Sequence, residues 1–149
     1  MKPRQKHLHT LVKMIQRKIT IINVRHSLNE NLNDKLRWFG NALGLFGERD
    51  KDKSCFRIFI TLIKAKKFHK GLSSDDIAEQ LQLTRGTVVH HLNNMIERGI
   101  IITNNRKYEL RADNLQDLVE FLKQDAVNTF NNLTSSANEL DRVLGLQKY

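Results

Sequence analysis

A chain of 149 residues with one cysteine, one proline and seven glycines is long enough for a single compact core with helical extensions, and too short for two full domains. The lone Cys55 excludes an internal disulfide and a multi-cysteine metal site, and the apolar runs fall far short of the ~20 residues that span a bilayer. Few helix breakers and a thiol left unpaired predict a mainly α protein of a reducing, cytoplasmic compartment.

The net charge of +9 favours a polyanionic partner, although a solvated basic surface would give the same total. Its distribution says more. Residues 1 to 29 hold Lys2, Arg4, Lys6, Lys13, Arg17, Lys18 and Arg25 with no acid, a local +7, whereas from Glu109 onward seven acids against four bases leave −3. An acid-free amphipathic N-terminus can also mark an organelle presequence, but here the apolar pattern continues with no small-residue cleavage region.

Along the chain, apolar residues at 8, 11, 12, 15, 19 and 22 form one stripe at helical spacing, and Leu28, Leu32, Leu36, Phe39 and Leu43 extend a similar pattern. A long helix interrupted near Asn23 to Asn29 is expected. Gly40, Gly44 and Gly47, followed by "ERDKDKS", end it and set a boundary, so residues 1 to 50 form a basic N-terminal helical segment. "KSCFRIFITLIKAKKF" is apolar on most faces; its length predicts a buried helix ended by Gly71, with its β-branched content leaving a strand as the alternative. Cys55 reads there as a core thiol.

Ser73 with Asp76 approximates a capping box for a short helix whose inner face is Ile77, Ala78 and Leu81. Thr84 is placed to cap a second helix running to about Arg98, and Gly99 supplies the left-handed residue that stops it. "IIIT" (100 to 103) and "YEL" (108 to 110) around a polar tip are a hairpin signature. Asp113 with Gln116 restarts a helix, in which Leu115, Val119, Leu122, Ala126, Leu133, Ala137, Leu140 and Leu144 lie close to a heptad seam.

Helix, capped short helix, tight turn, capped helix and hairpin is the order of a winged helix-turn-helix. "LSSDDIAEQLQLTRGTVVHHLNNMIERGIIITNNRKYEL" resembles the DNA-binding core of ArsR-type transcriptional regulators, over about residues 54 to 112. The resemblance implies a winged domain over 51–112, a recognition helix, a wing, and a C-terminal dimerisation helix over 113–149. Both flanks look longer than in a minimal family member.

At 100° per residue, Val88, Leu92 and Met95 share one face of the second helix, and Gly86, His90, Asn93, Asn94 and Glu97 lie opposite. Thr84, Arg85 and Thr87 stand at its N-terminal end, where free amides and the helix dipole favour a phosphate. Gly86 reads either as a point of close backbone approach to DNA or as a tolerated first-turn residue. His90 and His91 point about 100° apart and lack the i, i+4 partner of a helical metal pair; His90 reads as a DNA-facing donor and His91 as a packing residue. Metal-sensing relatives place thiolates on the helix before the recognition helix, or His and carboxylate ligands on the C-terminal helix. "SDDIAEQL" has no cysteine and residues 109 to 149 no histidine, so neither arrangement carries over and no metal or other cofactor is implied.

Asn104, Asn105, Arg106 and Lys107 would form the wing tip, and the resemblance implies that Arg106 reaches the minor groove or its phosphates; a solvated turn is the other reading. Leu11, Ile15, Ile19 and Ile22 with Leu122, Leu133, Leu140 and Leu144 are the candidate dimer interface, because a domain of this size cannot cover both stripes. The basic N-terminus could add phosphate contacts, lie on a membrane surface or form a disordered arm. The expected function is that of a homodimeric, sequence-specific repressor binding double-stranded DNA. The alternatives are a winged-helix scaffold for protein assembly or a non-specific architectural binder. No phosphate-binding glycine loop, nucleophile–base pair or metal cluster supports an enzyme.

Overall fold

The computed structural model describes residues 18–25, 31–47 and 53–146. Among these the elements are α1 (Leu32–Ala42), α2 (Ser54–Lys67), α3 (Ser74–Leu81), α4 (Arg85–Glu97), β1 (Ile101–Asn104), β2 (Lys107–Leu110) and α5 (Leu115–Leu144). This is the expected mainly helical winged helix-turn-helix. The central run 53 to 68 is a helix, not a strand.

α2 is the hub of the core. Its Cys55, Ile58, Phe59 and Leu62 are buried, and it packs against α3, α4 and β2. Ile77 of α3, Val88, Leu92 and Met95 of α4, Ile101 and Leu110 of the strands and Leu118 of α5 complete one continuous apolar cluster. The Cys55 thiol is 1% exposed and donates to the Leu45 carbonyl at 3.2 Å, the core role read from its neighbours. Arg57 reaches from α2 to the last carbonyl of α3, Leu81, and so satisfies a group that the helix itself leaves open.

Four of the five described helices start where a side chain can take a free amide; α2, entered through left-handed Lys53, has no side-chain cap. Asn31 accepts from Asp34, Ser73 from Asp76, Thr84 from Thr87 and Asn114 from Asp117. The Ser73–Asp76 box closes in both directions. The last helix begins with Asn114 and Asp117, one residue later than the expected Asp113 and Gln116, because the Asn amide oxygen accepts across one turn. Gly99 takes φ +71 after α4, as its position required, but α2 ends at Lys67 with the chain reversing at left-handed His69, two residues before Gly71.

The hairpin is also tighter than the sequence suggested. Ile101 pairs with Leu110 and Asn104 with Lys107, so the first strand is shifted one residue toward the tip, the second is one residue longer, and only Asn105 and Arg106 form the turn. Leu72 makes an isolated antiparallel bridge to Tyr108, with hydrogen bonds of 3.0 and 2.7 Å. No signal in residues 70–73 distinguished that bridge from a loop.

The N-terminal flank departs most from expectation. Residues 18–25 have no helix; they run as a strap in which Lys18 donates to Glu97, Ile22 to Ala42, and the Trp38 indole to the Val24 carbonyl. Ile19, Thr20, Ile21, Ile22 and Val24 are β-branched and lose rotamer freedom in a helix, while extended backbone can spend its donors on neighbouring helix ends. Leu11, Ile15 and Leu28 lie outside the described residues.

α5 is tied to the domain at its base and then leaves it. Arg111 grips Asp125 with two hydrogen bonds, 2.6 and 3.2 Å, donates to the Gly99 carbonyl and lies over the Phe121 ring at 5.2 Å. Past Ala126 every residue to Leu140 is exposed. At 1.5 Å per residue the free part, 127 to 144, projects about 27 Å.

The capping box yields a test. Hydrogen bonds from the Ser73 side chain and backbone, aided by the charges of Lys70 and Lys107, hold the Asp76 carboxyl below its ordinary range. A carboxylate depressed in the fold stabilises above its unfolded pKa, and the contribution fades as pH falls through the folded value. Ser73→Ala is expected to cost about 1 kcal/mol by urea unfolding at neutral pH. The difference between wild type and Asp76→Asn should shrink as the same measurement is carried into acid.

Candidate nucleic-acid interface

The surface around α4 is built by two constraints. Burial of Val88, Leu92 and Met95 fixes the rotation of the helix, so that Arg85, Gly86, His90, Asn93 and Glu97 are exposed. Thr84 then fixes where the helix begins: its hydroxyl accepts the Thr87 amide at 3.2 Å and lies 2.8 Å from the Thr87 hydroxyl. With these two hydroxyls engaged in the cap, Arg85 and Gly86 are the open part of the first turn. Half-buried Thr87 stands behind them.

Arg85 meets Asp75 of α3 at 3.4 Å, both side chains mostly in solvent. Such a pair is worth little and exchanges readily for another anion. Gly86 is open in the same sense: a Cβ built there meets nothing within 4 Å. The protein itself therefore gives no packing reason for glycine, although glycine costs a helix about 1 kcal/mol relative to alanine.

The two histidines differ in environment as the helical wheel required. His90 is exposed and His91 half-buried, with their rings edge-on at 5.4 Å. Among the described residues no group of three or more His, Cys, Asp and Glu side chains is arranged to hold a metal ion. Asn93 is exposed. Asn94 is half-buried, and its side-chain oxygen accepts from the Arg98 guanidinium at 3.2 Å, so this candidate contact is partly committed inside the protein. The helical wheel could not show that, because Arg98 belongs to the C-cap and turns back one helical turn.

Asn105, Arg106 and Lys107 are all exposed at the wing tip. Asn105 and Arg106 both take positive φ, 50° and 62°, the two-residue turn that matches strand twist. Asparagine is common there; arginine is not, and left-handed backbone costs an ordinary residue roughly 1–2 kcal/mol. A glycine would serve the turn better, so the arginine side chain is retained against local preference.

The dimer candidates divide. Leu133 and Leu140 are each 57% exposed and Leu144 is also exposed on the projecting part of α5, whereas Leu122 is half-buried against the domain core. Ile19 and Ile22 are partly exposed, on the strap and not on a helix. Sequence reading passed over Phe130, 68% exposed. It stands between Ala126 and Leu133 at the four-then-three spacing of the same seam, a signal that was available. No helix among the described residues is long and apolar enough to cross a membrane.

Residues 70–103 match the family model described as bacterial regulatory protein, arsR family. The match starts at the turn after α2 and ends within β1, covering α3, α4 and the residues between them. No curated protein gives a significant match. Among solved structures, MepR, a transcription regulator of the Staphylococcus aureus multidrug efflux pump MepA, is 17% identical over 96% of this chain and 95% of that chain, with a TM-score of 0.39. A MepR mutant from a multidrug-resistant S. aureus clinical isolate is 18% identical over 80% of this chain and all of that one, with a TM-score of 0.35. Likenesses this loose transfer no ligand, operator or mode of assembly. The helix-turn-helix over residues 70–103 is thus similar to that of the arsR family of bacterial regulatory proteins.

Proposed function

We propose that the chain acts as a cytoplasmic homodimeric repressor that binds a near-palindromic double-stranded DNA site. α4 enters the major groove at each half-site, and Arg106 and Lys107 of the wing meet the flanking backbone or minor groove. The observation that carries this reading is the open, acid-free first turn of α4, with Arg85 and Gly86 presented to solvent and Arg98 and Glu97 kept at the far end. His90 and Asn93 continue the same face as base-edge donors and acceptors. Thr84 and Thr87 shape the turn and bring its amides to phosphate, and Asn94 contributes through its remaining amide group.

Two copies would pair through the projecting part of α5, residues within the 113–149 segment. Val127, Phe130, Leu133, Leu140 and Leu144 are exposed there, and burying such side chains is worth about 1.5–3 kcal/mol each. Repression in this reading is occupancy of the operator. With no thiolate pair on α3 and no histidine beyond residue 108, release depends on a signal other than the metal arrangements known for such regulators.

The first test is anisotropy binding to random-sequence duplexes across a salt series, followed by sequencing of the retained DNA. An enriched inverted repeat with steep salt dependence is expected. Steep dependence with no enrichment would make the chain an architectural binder, and weak binding with a stoichiometric protein partner would make the winged helix an assembly scaffold. Arg85→Ala with Lys107→Ala should lower the affinity and reduce the slope of log K against log salt by roughly 2, near 0.9 per phosphate contact.

Gly86→Ala separates contact from tolerance in one substitution. The free protein should gain up to about 1 kcal/mol in urea unfolding, while affinity for the selected site falls, because the added methyl stands where DNA backbone or a base edge approaches. Unchanged DNA affinity would reduce Gly86 to a tolerated surface residue. Leu133→Glu with Leu140→Glu alters only exposed positions; it should leave the winged domain folded and convert the dimer to monomer in sedimentation.

A further inference from the structure

α5 leaves the winged domain through a short root. Leu118 is fully buried and Leu122 half-buried against the core, Asp125 and Ala126 are the next shielded positions, and the helix is then exposed to Leu140. Apolar contacts have no preferred direction, so Leu118 and Leu122 fix where α5 touches the domain better than the angle at which it departs. Asp125, two turns beyond Leu118, is held differently. Both of its carboxylate oxygens accept from Arg111, at 2.6 and 3.2 Å, with only 18% and 21% of the Arg111 and Asp125 side chains exposed.

Arg111 is itself seated on the turn that follows α4. Its backbone N–H donates to the Ile100 carbonyl at 3.0 Å and its guanidinium to the Gly99 carbonyl at 3.4 Å. The guanidinium also lies 5.2 Å over the ring of Phe121, one helical turn before Asp125. One planar side chain thus refers α5, at two successive turns, to the end of α4. A two-point pair restrains rotation as well as distance, which a point cation does not. The lever beyond it is long. From Leu118 to Asp125 is about 10 Å of helix and to Leu140 about 33 Å, so a shift of about 1 Å at Asp125, pivoting on Leu118, becomes about 3 Å at Leu140.

We infer that the Arg111–Asp125 pair is a positioning element that selects DNA sites by the spacing of their halves, while α4 selects them by base sequence. The inference rests on the homodimer pairing through α5 proposed above. In such a dimer, two-fold symmetry doubles any change of angle at the root of α5 between the two α4 helices. Their separation must match about 34–36 Å, one turn of the duplex, or a multiple of it. Neither residue touches DNA in this arrangement: α4 is about 20 Å long, and Arg111 sits at the end opposite Arg85 and Gly86. The pair acts through the placement of α4, not through contact.

The test uses the full chain and duplexes carrying two inverted copies of the half-site that the wild type selects, separated by spacers that grow one base pair at a time, with the retained DNA sequenced. The wild type should prefer one spacing at least tenfold over its neighbours. Asp125→Ala and, separately, Arg111→Lys should keep the half-site sequence and the dimer in sedimentation, while the preference for that spacing falls at least threefold or moves to a new length. Arg111→Lys retains a cation beside Asp125 and so guards against a variant that fails to fold. An unchanged spacing preference in a folded variant, with affinity lowered equally at every spacing, or loss of the folded dimer in both, would reduce the pair to a stabilising contact and overturn the inference. A wild type that selects half-sites with no preferred spacing would also overturn it and leave DNA binding standing. A wild type that selects no half-site would bring down the DNA-binding reading itself, and this inference with it.

Discussion

The burial of Val88, Leu92 and Met95 against α2 is the constraint from which the functional surface follows. These three side chains are inaccessible to solvent, and removing any of them from the core would cost several kcal/mol in lost transfer and cavity energy. With that face committed, the helix has no rotational freedom left, and its polar residues face solvent by default. The recognition surface is therefore a consequence of core packing, and its polar side chains contribute little to holding it in place.

Both ends of α4 are also tied. At the start Thr84 caps the first turn, and at the end three groups converge on its last carbonyls and the following glycine: Lys18 donates to Glu97, Arg98 folds back to Asn94, and Arg111 donates to Gly99. Arg111 simultaneously holds Asp125 in a largely desolvated two-point pair. Through that one guanidinium the end of α4, the exit of the wing and the root of α5 are joined. In the homodimer proposed above, this joint would set the angle between the two α4 helices and so the spacing of the half-sites.

Charge is sorted on the same plan. The wing tip and the start of α4 carry Lys107, Arg106 and Arg85, while half-buried Glu109 and exposed Asp113, lower on the wing and beyond it, pair with Lys66 of α2. Acids near the body are paired, and bases near the proposed groove are exposed. Asp75 is the exception, set 3.4 Å from Arg85, where it trims the local positive potential.

Much of the local structure was legible in the sequence because its causes are local. Capping residues, the glycine after α4 and the apolar period of 84 to 98 each act over one or two turns, and they located α3, α4 and the hairpin to within a residue or so. The order of elements, with the "TRGTVVHHL" segment, was enough to indicate a winged helix and the family model that residues 70–103 match. What the sequence left undetermined depends on groups far apart in the chain. The strap at 18–25 was misread as helix because its apolar spacing suits one, and only the carbonyls of Glu97 and Ala42 give its donors an extended alternative. The Leu72 bridge and the Arg111–Asp125 joint are likewise hydrogen bonds between separate elements, invisible to periodicity. Sequence by itself determined which residues form elements and which face of each is apolar, since these follow from propensity and period. Tertiary structure decided which polar side chains remain free, since that depends on donors and acceptors brought together only when the core closes.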